Sequence, residues 1–168
     1  MLKPACLYKD EIQRKSQEMF YTEDYALYQG YPEWSRINVE DDPGTNLYQF
    51  ASIDSDEKLI GFISFNYDPH RSCADKFGIV SFDKGNPIFI RDLYKCLDMI
   101  INQFKCHRME WRMVDTNPVK RHYDKFCKKH NGTIHRFRDV FKDQTGKYHD
   151  SYMYEIIFQH VEDLLNQK

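Results

Sequence analysis

The chain has 168 residues and a net charge of −2, and 15% of its residues are aromatic. That length suits one domain, residues 1–168, with a full core, and so many large planar side chains argue against disorder. No apolar run approaches the roughly 20 residues that span a bilayer, and Met1-Leu2-Lys3-Pro4 lacks the apolar core of a signal peptide, so a cytoplasmic protein without a membrane partner is expected.

Residues 10–20 and 23–29 read as a pair of short helices, the second capped by Thr22 and closed by Gly30, with loop over 31–45. Two β-rich runs, 47–53 and 59–65, flank the polar stretch 54–58 as an antiparallel hairpin, and a third strand over 77–82 follows a connection containing Pro69 and His70. Asn86-Pro87 is an N-cap followed by proline at the first helical position. Ile90, Leu93, Leu97, Ile100, Ile101 and Phe104 then recur at helical spacing, which predicts a helix over 87–104.

Residues 108–114 alternate, with Met109, Trp111 and Met113 on one face and Glu110 and Arg112 on the other, as in a half-buried strand. Asn117-Pro118 repeats the cap-and-proline start, and Val119, Tyr123, Phe126 and Cys127 share a face of a helix over 118–130 that Asn131-Gly132 ends. Runs over 133–141 and 148–158 flank Asp143-Gln144-Thr145-Gly146 as a long hairpin. The order β-β-β-α-β-α-β-β after a helical pair predicts an α+β fold, a mixed and mostly antiparallel central sheet flanked by helices.

Five cysteines at irregular spacing, without C-x-x-C, point to reduced thiols, and Cys127 with His130 lacks a second ligand pair, so no metal is expected. Charge is uneven. Residues 1–104 carry 11 Lys/Arg against 17 Asp/Glu, residues 105–147 carry 12 against 5, and the remainder 1 against 4. A basic segment in a nearly neutral chain points to a local anionic ligand rather than to wholesale coating of nucleic acid, although Lys120, Arg121, Lys125, Lys128 and Lys129 on one helix keep a nucleic-acid-associated protein as an alternative. The two strand–turn–helix units bring two helix N-termini to one sheet edge if their strands run parallel, and such an edge suits an anion.

This order of elements over residues 47–158 resembles the GNAT superfamily of acyl-CoA N-acetyltransferases. Asn117 opening a helix that carries Tyr123, then Gly132, then a hairpin with Gly146, Asp150 and Tyr154 resembles its branch that acetylates the N-termini of ribosomal proteins. The resemblance implies acetyl-CoA as cofactor, with the pantetheine arm along the strand ending Ile79-Val80-Ser81-Phe82, in a gap between strands 77–82 and 108–114. It places the pyrophosphate at the start of helix 87–104 and Asn117 across the gap. It also implies a backbone N–H near Val80 on the thioester oxygen and Tyr123 as proton donor to the departing sulfur, while spacing alone reads Tyr123 equally as a core aromatic.

The phosphate loop departs from the family, because Ile88 and Ile90 stand where glycines are usual, leaving Lys84, Gly85, Asn86 and Arg91 to hold the phosphates. The family's strand glutamate is missing too. Asp75 lies nearest, with Asp68 and His70 behind it, and each also reads as a solvated loop residue; His122 is expected to point away from Tyr123 to the surface. The expected function is therefore acetyl transfer to a primary amine, of a small molecule or a protein, by direct transfer in a ternary complex. The alternative is a catalytically degenerate GNAT-fold binding or regulatory module. Tyr21, Tyr25, Tyr28, Tyr31 and Trp34 suit either an acceptor groove or ordinary helix packing, and the oligomeric state is open, a homodimer included.

Overall fold

The computed structural model describes residues 1–21, 37–42, 44 and 46–159. The helix predicted over 23–29 and the aromatics from Tyr25 to Trp34 lie outside the described residues. The elements are β1 (Leu2–Pro4), a 3₁₀ turn (Ala5–Tyr8), α1 (Lys9–Phe20), β2 (Leu47–Ile53), β3 (Leu59–Asp68), β4 (Cys73–Ser81), α2 (Pro87–Asp98), β5 (Arg108–Val114), α3 (Lys120–Lys129), β6 (Thr133–Lys142) and β7 (Tyr148–Ile157). They build the expected α+β architecture around one seven-stranded sheet, ordered β1-β2-β3-β4-β5-β7-β6. Every neighbouring pair is antiparallel except β4 and β5.

The sheet divides the apolar side chains by strand alternation. On one face α2 and α3 cover Ile63, Phe65, Met109, Trp111, Met113 and Tyr154. On the other, α1 packs Ile12 over Ala51, Ile53, Phe62 and Val80. Asp10 and Glu11 in the first turn of α1 suit its positive end. Asn86 caps α2 with its side chain, and Pro87 stands at the first helical position as its sequence requires.

The elements differ from the sequence reading in several places, and β3 runs on to Asp68 rather than ending at 65. A three-residue strand, β1, pairs with β2 at the sheet edge. Helix 87–104 is α-helical to Asp98 and then widens into a π turn over Met99–Gln103. β4 begins at Cys73 rather than 77, because Lys76 takes φ 51° and interrupts the alternation that marks a strand. α3 begins at Lys120 rather than 118, because Asn117 Oδ1 accepts from Val119 N at 3.1 Å and its carbonyl from Lys120 N at 3.0 Å, making a separate turn before the helix.

Candidate active site

β4 and β5 share two residue pairs, Cys73 with Arg108 and Ala74 with Met109. Beyond them β4 bulges, since Asn66 faces Asp75 but Ser64 faces Gly78, so Phe65 stands against both Lys76 and Phe77. A bulge bends its own strand, and past this one no pairing joins the rest of β4 to β5. Phe82 N donates to Ile60 O at 2.9 Å. Alternate peptide groups of an antiparallel strand face the same neighbour, so the Val80 N–H also faces β3, while those of Ile79 and Ser81 face the gap.

On the side covered by α2 and α3 the gap widens into a cleft of about 380 Å³. β4 lines it with Phe77, Ile79 and Ser81, and β5 with Met109 and Trp111. The α2 side contributes Gly85, Asn86, Ile90 and Tyr94, and the α3 side Val119, His122, Tyr123 and Phe126. Its deep end is an aromatic box: Trp111 lies flat on Tyr154, with ring centroids 5.0 Å apart and planes 7° apart, and meets Tyr123 and Phe126 edge-on at 5.8 and 6.0 Å. These apolar surroundings push the Tyr123 hydroxyl up to about 12, because they disfavour the phenolate. Trp111 is 7% exposed, and its Nε1 is the one buried side-chain polar atom among the described residues without a hydrogen-bond partner.

Of the residues singled out in the sequence, Ser81, Gly85, Asn86 and Tyr123 come together at the cleft. Val80 and Phe82 turn the other way. Val80 is buried in the α1-side core, and Phe82 packs there with its ring 5.6 Å from Lys15 Nζ. Lys84 is exposed at the turn before α2. Arg91 is outside the cleft lining, its Nε 4.0 Å from the buried Asp92 carboxylate. Asn117 bonds into the turn before α3.

The α2 corner is closed by its own acceptors. Asn86 N donates to Asp83 O at 3.2 Å, Ile88 N to Asn86 Oδ1 at 2.9 Å, and Asn86 Nδ2 to Asp83 Oδ2 at 2.9 Å. The two isoleucines do not fill the gap: Ile88 packs toward the core, and Ile90 is 48% exposed at the rim. Phe89 instead enters the core over Gly61, where an added Cβ would stand 2.2 Å from its ring. The chain's residues thus fit an acyl-pantetheine arm, with a gap bordered by strand N–H groups and an apolar cleft. The phosphate end is atypical, with two amides already held and a carboxylate nearby.

Sequence reasoning placed Trp111 and Met109 on an apolar strand face and His122 at the surface; the structure puts all three on the cleft lining, His122 at the exposed rim. The missed signal for Trp111 is an indole N–H on a strand predicted to border the gap. The Gly–Asp–Tyr series of the last hairpin holds that hairpin together. Gly146 takes φ 90° in the turn, Asp150 accepts from Arg136 Nε at 2.6 Å and Asp139 N at 3.1 Å, and Tyr154 donates to Asp124 Oδ1 at 2.8 Å. Asp75 is buried beside the bulge, with Arg71 Nη2 at 3.1 Å, and Asp68 also binds Arg71, so both carboxylates are tied into one pair of ion bridges.

Part of the basic segment is paired within the fold. Arg108 binds Glu110 and Glu155, Arg136 binds Asp150, and Lys120 binds Asp124. Cys127 Sγ faces the Thr133 and Glu155 carbonyls, and no group of three or more metal-ligating side chains stands together among the described residues. No helix of the described residues is long and apolar enough to cross a membrane.

No protein-family model and no curated protein sequence matches the chain. Its similarity is to solved structures. The spermidine N-acetyltransferase of Vibrio cholerae, solved with CoA and spermine, superposes with a TM-score of 0.66 over 94% of this chain and 94% of its own, at 18% identity. The same enzyme solved with manganese ions superposes with a TM-score of 0.54, at 18% identity, over 77% of this chain and 72% of its own. The fold is the GNAT fold. The β4–β5 gap lies between the two strands for which the family resemblance implies one, and the likeness extends beyond the 47–158 segment that first suggested it.

Proposed function

We propose that this chain is an acetyl-CoA-dependent N-acetyltransferase that acetylates a primary amine by direct transfer, with both ligands bound together. The observation that carries this reading is the gap between β4 and β5, unpaired past Ala74 and Met109 and leading into an apolar cleft between α2 and α3. Bound acetyl-CoA supplies an acetyl thioester, whose acyl carbon a neutral amine attacks as the thiol departs.

The residues then divide the work. The N–H groups of Ile79 and Ser81 face the gap, where they donate to the carbonyl oxygens of the arm and hold the acyl group in place, the role that the resemblance gives to a backbone N–H near Val80. The Tyr123 hydroxyl, protonated throughout the neutral range, donates a hydrogen bond to the departing sulfur. With a thiol pKa of roughly 8.5, full proton transfer from a phenol near 12 is uphill, so Tyr123 stabilises the sulfur while the proton released by the amine reaches it. Lys84, Gly85 and Asn86 at the α2 corner would take the diphosphate, which must displace the Asn86 side chain from the Ile88 N–H. Apolar walls exclude water from the reacting atoms.

The Vibrio cholerae enzyme is solved with spermine, and the acidic balance of residues 1–104 suits a cationic acceptor, so a small-molecule amine is the favoured acceptor class, with peptide amines second. The self-capped α2 corner favours one other reading, a GNAT-fold module that binds CoA weakly and does not turn it over. Two measurements test the proposal. Saturating acetyl-CoA should raise the melting temperature, since a hundredfold excess over Kd stabilises by about 2.7 kcal/mol. Thiol release from acetyl-CoA should depend on an added amine from a panel of polyamines and peptide N-termini. Binding without release across that panel would establish the module instead, and no thermal shift would remove both readings.

A further inference from the structure

The acyl-pantetheine arm carries three carbonyl oxygens, two amides and the thioester, and each needs a donor when it leaves water. Side-chain donors along the cleft are few, and the Tyr123 hydroxyl among them is already assigned to the departing sulfur. Ser81 Oγ donates to Asp83 O at 2.8 Å and Asn86 Nδ2 to the Asp83 carboxylate, while Tyr94 and His122 are exposed at the rim. Beside Tyr123 at the deep end, the indole N–H of Trp111 is buried without an acceptor, on a side chain 7% exposed. Buried polar side-chain atoms are nearly always satisfied, so an orphan in a cleft wall marks a place where the partner arrives from outside the chain.

The indole is wedged in place and its Nε1 is closed off by the chain's own atoms, so an acceptor reaches it only as the Tyr123 and Phe126 edges beside it give way. Tyr154 holds one of its faces at 5.0 Å, and Tyr123 and Phe126 abut it edge-on. Tyr154 is itself anchored, because its hydroxyl donates to Asp124, which Lys120 holds at 2.9 Å. A donor fixed in this way loses no freedom when an acceptor reaches it.

Resting on the reading of the cleft as an acyl-CoA site, we propose that the Trp111 indole N–H is a ligand-binding donor, accepted by a carbonyl oxygen of the acyl-pantetheine arm. Trp111 thereby fixes how deep the arm seats between β5 and α3. In the ligand-free chain this donor is unsatisfied, so binding supplies the hydrogen bond that folding left unmade.

The test follows the indole proton itself by NMR in the unmodified protein labelled with ¹⁵N-tryptophan and ¹⁵N backbone, the Trp111 resonance being identified through its contacts with the rings of Tyr123 and Tyr154. Addition of CoA or acetyl-CoA should move that proton downfield and slow its exchange with solvent. Movement with both ligands assigns the acceptor to a pantetheine amide, and movement with acetyl-CoA alone assigns it to the thioester. If Ser81 and Asn86 amides respond while the indole proton stays in place, the proposal is overturned and the CoA site stands. If no cleft amide responds, the CoA reading fails and takes the proposal with it. Trp111→Phe, which keeps an aromatic ring and removes the donor, should weaken CoA binding by about threefold to tenfold, the range of one neutral hydrogen bond; unchanged affinity in a folded variant counts against the assignment.

Discussion

Tyr154, fully buried on β7, donates its hydroxyl hydrogen to Asp124 on α3 across 2.8 Å, and this bond ties the helix that walls the cleft to the centre of the sheet. Asp124 is shared with Lys120 and held below the usual carboxylate range, although burial works against it, by its bonds to Lys120 and Tyr154. Tyr154→Phe keeps the ring under Trp111 and removes this bond. A hydrogen bond to a charged group contributes about 1.5 kcal/mol or more, and the variant should lose about that much in urea unfolding with an unchanged m-value.

Tyr123→Phe should separate chemistry from binding. The hydroxyl is assigned to the departing sulfur, while the ring continues to pack against Trp111 and Tyr154. Turnover should fall by about a hundredfold, the scale of one lost hydrogen-bond donor to developing charge, with CoA affinity held within about twofold of the wild-type value. A loss of affinity with turnover intact would make Tyr123 a wall residue only.

Asn86→Ala removes the N-cap of α2 and should cost about 1 kcal/mol of stability. The same change releases the Ile88 N–H from its internal acceptor. If a phosphate competes with Asn86 for that amide, CoA affinity measured by calorimetry should hold or rise while the melting temperature falls. Stability and affinity falling together would show that the Asn86 side chain serves the ligand directly.

Gly61→Ala should be poorly tolerated. Its Cβ would stand 2.2 Å from the Phe89 ring and 2.9 Å from Val80 O, and neither the first turn of α2 nor the backbone of β4 can yield without moving the cleft. Overpacking of this kind costs about 1–3 kcal/mol. Alongside that loss, CoA binding should weaken, because the α2 corner shifts with Phe89.

His149 should make the last hairpin sensitive to pH. Its ring lies between Asp143, at 2.9 Å from Nε2, and Asp115, at 3.1 Å from Nδ1, so both nitrogens face carboxylates and its pKa is raised, first by the bond to Asp143. A raised folded value means that its stabilisation is complete below about 6.5 and fades as pH climbs through the folded pKa. Asp143 lies well below the usual carboxylate range, chiefly through His149, so its share is complete above about 3.9 and is lost in acid. Urea midpoints should therefore fall from pH 6 to pH 9 in the wild type and fall less in His149→Gln.

β2 and β5 were legible residue for residue, β2 as an apolar, β-rich run before a polar turn and β5 through its alternation from Arg108 to Met113. The start of β4 was not, since Lys76 in a left-handed conformation hides a bulge that no local pattern announces. The same bulge opens the cleft. Ser81, Gly85, Asn86 and Tyr123, singled out through the family resemblance, line the cleft; Val80 and Phe82 turn to the α1-side core, because the resemblance gives a strand but not which of its residues look inward. Trp111 was read correctly as an inward-facing strand residue, but whether its N–H finds an acceptor depends on tertiary neighbours and cannot be read from alternation.

The seam between β4 and β5 also has a mechanical side. Four strands stand on one side of it and three on the other, and two residue pairs bridge them. Whatever occupies the opening touches both blocks, so it would act as a splint; on the proposed function, each turnover would brace the halves and then let them loosen, and product departure would be coupled to the stiffness of the whole sheet.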